Sequence, residues 1–114
     1  MNSFTHHPNC VLCQLVTGQL PYKKVLESDE FLAIYDKYPR APIHVLIIDK
    51  KHREKKDTLL TGKYNSQHYW DNFFTFVAKV IKHLHLDQKG FKIEILGAGY
   101  NHFEHEHVHV LSGF

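Results

Sequence analysis

The stretch His105-Glu106-His107-Val108-His109-Val110-Leu111 decides how this sequence is read. Histidine recurs at every second position along it, the spacing of one face of a strand. Successive strand side chains point to opposite faces, so Phe103, His105, His107, His109 and Leu111 share one face. Consecutive histidines there are spaced ~7 Å apart, twice the strand rise. Imidazole titrates near neutrality, so a neutral ring can attack phosphorus while a protonated neighbour holds the phosphate. Three alternating histidines could also ligate a transition metal, or sit as satisfied polar groups on an open sheet face.

Working outward, the last strand is expected from Phe103 to Leu111, after a Gly97-Ala98-Gly99 turn and a strand over Phe91 to Leu96. Upstream of these, Ser66 to Leu86 predicts a long helix. Trp70, Phe73, Phe74, Val77, Val80, Ile81 and Leu84 recur on it at spacings of three and four, a core-facing stripe. The basic run Lys50 to Lys56 reads as solvated surface, and Arg53 to Lys63 as a loop or frayed turns. His44 to Ile48 is a β-branched buried strand, and Lys24 to Glu27 with Phe31 to Tyr35 form a hairpin about Ser28-Asp29. A short helix from Cys10 to about Thr17 opens the chain, with Asn9 as its N-cap and Gly18 at C′. The fold class is α+β, one domain over residues 1–114.

Composition narrows the function classes. A formal charge of +2 is too small for a nucleic-acid surface, and no apolar run approaches the roughly 18 residues that span a bilayer. Met1 to Asn9 lacks the pattern of a secretory leader, so the expected address is the cytoplasm, where Cys10 and Cys13 stay reduced. The 11 histidines are the abnormal figure, and a metal-buffering role would account for the count alone.

The histidine stretch resembles the signature of the histidine-triad (HIT) family, His-x-His-x-His followed by two apolar residues. Cys10-Val-Leu-Cys13, Leu20-Pro21, Glu27-Ser28-Asp29-Glu30, Ala33-Ile34-Tyr35-Asp36, Pro39-Arg40-Ala41-Pro42, His44-Val-Leu-Ile-Ile and Lys50-Lys51-His52 are similar to the family in order and spacing. The resemblance implies a HIT-like five-stranded antiparallel sheet with one long helix and a short N-terminal helix, usually as a homodimer. It implies hydrolysis at the α-phosphate of nucleoside phosphoramidates, adenosine 5′-phosphoramidate giving AMP, through a covalent nucleotidyl-histidine. Dinucleoside polyphosphate hydrolysis is the alternative, and a nucleotide sensor with negligible turnover another.

Carried over by position, the resemblance implies His107 as nucleophile, His109 against the phosphate, and His44 and His105 in the same catalytic group. Asp36 would take the ribose hydroxyls of a purine nucleotide, and Val11, Leu12, Leu15 and Ile34 the base. In zinc-bearing members the ligands match Cys10, Cys13, His52 and His105, which implies a structural zinc here and no organic cofactor. Asn101 and His102 replace the usual Gln and Ser or Thr, and so alter the expected leaving-group contacts. Leu96 stands where the family has Asn. Glu104 and Glu106 occupy back-face positions where Val or Tyr is usual, which predicts a face partly open to water.

Overall fold

The computed structural model describes residues 7–97 and 103–113. Helix α1 (Val11–Val16) leads into β1 (Lys24–Glu27), β2 (Phe31–Tyr35) and β3 (Ile43–Asp49). Helix α2 (Tyr69–His83) follows, then β4 (Lys92–Glu94) and β5 (His107–Ser112). The five strands make one antiparallel sheet in the order β1-β2-β3-β5-β4, so β5 lies between β3 and β4. No helix among the described residues is long and apolar enough to cross a membrane.

Strand alternation gives the sheet two different faces. Val45 and Ile47 on β3 and Val108 and Val110 on β5 pack with Phe73, Phe76, Val77 and Val80 of α2 in the larger core. Each such side chain, fully buried, contributes about 1.5–3 kcal/mol of burial free energy. On the other face, Leu32, Ile34, Leu46 and Ile48 meet Leu12 of α1 in a smaller core. The cross-strand pairs Leu46↔His109 and Ile48↔His107 put two of the histidines on that second face.

Several elements differ from the sequence reading. Helix α2 is shorter than Ser66 to Leu86, because short 3-10 turns at Asn65–Gln67 and Leu86–Gln88 flank it, with His68 and His85 in the left-handed region. Its buried stripe takes in Tyr69 and Phe76, while Phe74 is left half-exposed. The N-cap of α1 is Cys10, whose sulfur accepts the Cys13 amide, and not Asn9; Gly18 does take positive φ just past the helix. Strand β5 begins at His107, with His105 making only an isolated bridge to Glu54.

The largest correction concerns the basic run. Arg53 and Lys55 are buried, not solvated. Both Arg53 and the Tyr69 hydroxyl donate to the Asp49 carboxylate, at 3.0 and 2.7 Å. Lys55 pairs with Glu106, which is fully buried. The face carrying Glu106 is therefore closed, its carboxylate paired instead of wetted.

Candidate active site

His44, His107 and His109 meet where β3 and β5 lie side by side, and with Asp36 they line a cleft of about 1130 Å³. Backbone carbonyls fix two of the triad tautomers. A carbonyl can only accept, so His107 Nδ1, 2.7 Å from the His105 carbonyl oxygen, carries the proton and Nε2 keeps the lone pair. His105 Nε2 likewise donates to the Asp49 carbonyl at 2.6 Å, which leaves its Nδ1 as a ligand atom.

A third chain runs through His44. The Arg40 amide donates to His44 Nδ1 at 3.1 Å, so His44 Nε2 carries the proton. That Nε2–H donates to His109 Nδ1 at 2.9 Å, and Asp36 Oδ2 lies 3.4 Å from the same nitrogen. Neutral His109 then holds its own proton on Nε2. The rings of His107 and His109 have centroids 5.2 Å apart, closer than the ~7 Å strand spacing, because the side chains lean together.

Burial holds all three cleft imidazoles below the ordinary histidine range. It lowers His44 and His107, and it pushes His109 down to about 4 with help from His107, His44 and Arg40. Burial thus disfavours the protonated form of the ring expected to hold phosphate. Arg40 is the cation among the described residues lining the cleft, and it is ion-paired with Glu94 of β4 at 2.7 Å.

Sequence reasoning missed Arg40 and Glu94 as cleft residues. The register Glu94↔His109 is the signal that places Glu94 beside the triad, and it depends on strand order that one sequence does not display. Val11, Leu12, Leu15 and Ile34 do not line the cleft. Leu12, Leu15 and Ile34 pack in the smaller core with Leu46 and Phe103, which do line it, while Val11 is partly exposed. Asn101 and His102 lie outside the described residues, as do Ala98 and Gly99 of the expected turn.

Cys10, Cys13, His52 and His105 are brought close enough to bind a metal, their ligand atoms all within 4.8 Å of one another. Cys13 Sγ is 3.2 Å from His52 Nδ1 and 3.5 Å from His105 Nδ1, and Cys10 Sγ is 3.4 Å from His105 Nδ1. The outer nitrogens are engaged elsewhere, His52 Nε2 with Glu54 at 3.3 Å and His105 Nε2 with Asp49. Two sulfurs and two ring nitrogens with such outer partners fit a tetrahedral cation. Burial pushes the Cys13 thiol up to about 11, so a metal entering here displaces a proton. Asp36, His44 and His109 also cluster. There, however, the Arg40 amide uses the His44 Nδ1 lone pair and leaves a proton on Nε2, a poor ligand.

Comparison with known proteins agrees with this fold. A HIT domain model matches residues 17–114. An uncharacterized HIT-like protein of Chlamydia trachomatis is 33% identical over 109 residues, covering 88% of each chain. An adenosine 5′-monophosphoramidase of Candida albicans is 30% identical over 95 residues, which is 83% of this chain and 57% of that protein. The crystal structure of a HIT family hydrolase from Legionella pneumophila superposes with a TM-score of 0.81 at 28% identity, covering 93% of this chain and 94% of the other. With that agreement of sequence and fold, the chain belongs to the HIT family.

Proposed function

We propose that this chain is a hydrolase acting at the α-phosphate of nucleoside phosphoramidates, adenosine 5′-phosphoramidate being the type substrate and AMP the product. The observation that carries the reading is the fixed tautomer of His107: with Nδ1–H held by the His105 carbonyl, Nε2 is a neutral nucleophile in the cleft. The resemblance of the Candida phosphoramidase supports the substrate class.

In this mechanism His107 Nε2 bonds to phosphorus as the phosphorus–nitrogen bond breaks. The amine leaves with the electron pair of that bond and takes one proton from solvent. Water then adds to phosphorus, the phosphorus–nitrogen bond to His107 breaks with its electron pair returning to Nε2, one proton goes back to solvent, and AMP is freed. His109, through Nε2–H, and Arg40 hold the phosphate oxygens, and His44 keeps His109 in the donating tautomer. Asp36 accepts from the ribose hydroxyls. Leu12, Leu15 and Ile34, packed with Leu46 and Phe103 in the smaller core, back the apolar wall for a purine.

Cys10, Cys13, His52 and His105 hold a zinc ion in this reading, which ties α1 to the start of the triad. Its chemistry there is structural, and His105 serves it as a ligand. A reducing cytoplasm suits both thiols. The protein works as a single domain in a homodimer, a reading supported by β4, which has no neighbour on its outer side among the described residues and has Phe91 exposed just before it.

The test is AMP release from adenosine 5′-phosphoramidate. Wild-type protein should turn it over, and His107→Gly should not while keeping its circular dichroism. Equal turnover by the two would reject His107 as the nucleophile. Silence of the wild type on this substrate and on dinucleoside polyphosphates would leave a nucleotide-binding protein in place of an enzyme.

A further inference from the structure

One side chain just before β5 departs from the apolar layer it continues. Glu106 faces α2 with Val108 and Val110, and it is fully buried. A carboxylate there must find partners or stay protonated. Its partners come from the turn after β3. Buried Lys55 pairs with Glu106 Oε2, and the buried Thr58 hydroxyl donates to Oε1 at 2.5 Å. Helix α2 holds both in place: Trp70 Nε1 donates to the Thr58 carbonyl at 2.7 Å, and Lys55 Nζ lies 5.7 Å from the Trp70 ring centre.

The third partner of Glu106 is the backbone of the residue beside it. Glu106 Oε2 accepts the His107 N–H at 3.0 Å. The sheet cannot satisfy this amide. Because the Asp49 amide donates to the Glu106 carbonyl at 3.2 Å, Ile48 and His107 form a pair without ladder bonds between them, and the His107 N–H points away from β3. On its other side β4 ends at Glu94, opposite His109 and two residues short of facing His107. The amide at the first position of β5 is thus beyond the reach of either neighbour, and the carboxylate replaces the missing strand carbonyl.

We propose that Glu106, braced by Lys55 and Thr58, is a positioning residue that fixes the backbone of His107 and so aims its Nε2. Two bonds define the stance of His107. Its amide, in the peptide unit after Glu106 Cα, is held by the Glu106 side chain, and its ring by the His105 carbonyl of the unit before it. That unit is pinned in turn, since the Glu106 amide donates to the Arg53 carbonyl at 2.7 Å and the Lys55 amide to the Glu104 carbonyl at 3.0 Å. A buried ion pair is weak evidence for stability, because apolar residues can often replace it without loss. Its use here is directional: it presents a strong acceptor where an imidazole must be aimed, and small misplacements of a reacting group are costly in rate.

The inference rests on the reading of His107 as nucleophile, and its test separates the two. Lys55→Met/Glu106→Leu removes the charges and the acceptor, while Lys55→Met/Glu106→Gln removes the charges and keeps an amide oxygen for the His107 N–H. Neither leaves a buried charge unpaired, so both are expected to fold. With adenosine 5′-phosphoramidate, the Leu pair should lose roughly tenfold to a hundredfold in kcat with little change in KM. The Gln pair should stay within about threefold of wild type. Equal kcat in the two pairs would overturn the proposal. Hydrogen exchange at the His107 amide and the ring tautomer, both read by NMR on the free protein, need no substrate. Faster exchange and a mixed tautomer in the Leu pair alone are expected; unchanged values there would refute the positioning role even if the wild type proved silent on the phosphoramidate.

Discussion

His44 Nε2 stands 2.9 Å from His109 Nδ1, and the Arg40 amide on the far side of the His44 ring settles which nitrogen owns the proton. A backbone donor thereby sets the direction of a hydrogen bond between two side chains. The His109 proton then sits on Nε2, with no hydrogen-bond partner for it among the described residues, and burial favours the neutral form of both rings.

This arrangement makes a prediction about rate. The nucleophile is active when neutral, and burial lowers His107 below the ordinary histidine value of 6.5. The acid limb of kcat/KM for AMP release should therefore have its midpoint below pH 6.5. A limb above that value would mean that His107 is protonated more easily than its burial allows.

The same burial predicts how stability responds to acid. His109 is near 4 in the folded chain against 6.5 when exposed, so the unfolded chain binds the extra proton first. The stability this group contributes is whole above pH 6.5 and is lost as pH falls from there toward 4, below which its effect levels off. His44 and His107 act in the same direction. Urea midpoints at intervals from pH 7.5 to 4 should decline across that window, and in His109→Gln the decline should be shallower.

Asp49 accepts from Arg53, Tyr69 and the Lys51 amide with no solvent exposure. Asp49→Ala leaves the Arg53 guanidinium buried without its carboxylate and should cost about 3–5 kcal/mol. Tyr69→Phe removes one hydroxyl donor and should cost about 1–3 kcal/mol. Urea denaturation ranks the two, and equal losses would show that the hydroxyl and the guanidinium matter alike.

Zinc content checks the four-residue cluster directly. Purified protein should carry close to one zinc per chain by elemental analysis, and Cys13→Ser should carry far less. Chelation should lower the melting temperature of the wild type and leave that of Cys13→Ser nearly unchanged. Several loosely held ions per chain would favour a buffering role over a structural one.

The strands and the triad were legible because alternation is a local signal. His107 and His109 share a face by spacing alone, and β3 follows from an unbroken β-branched run. The buried charges were not legible. Lys55 and Glu106 are 51 residues apart, and each by itself looks like a surface residue, so only the folded chain reveals that they neutralise one another. The stripe on α2 was misplaced for a related reason: Phe74 and Phe76 are equally apolar, and the sheet beneath selects Phe76. The late start of β5 reflects His105, whose ring is committed to the cysteine cluster while its neighbours bridge to the 53–55 segment.

The central place of β5 also bears on how the molecule comes into being. It is the last of the five strands to be synthesised, yet it sits between two made earlier. Until it arrives, β3 and β4 have no common neighbour and both present unpaired edges, an opening for pairing with other chains. The closing contacts reach back from residues 107–112 to residues 43–49, the non-local kind that slows folding. His107 and His109 arrive on that same closing strand, so a growing chain acquires its reactive imidazoles in the step that completes its sheet.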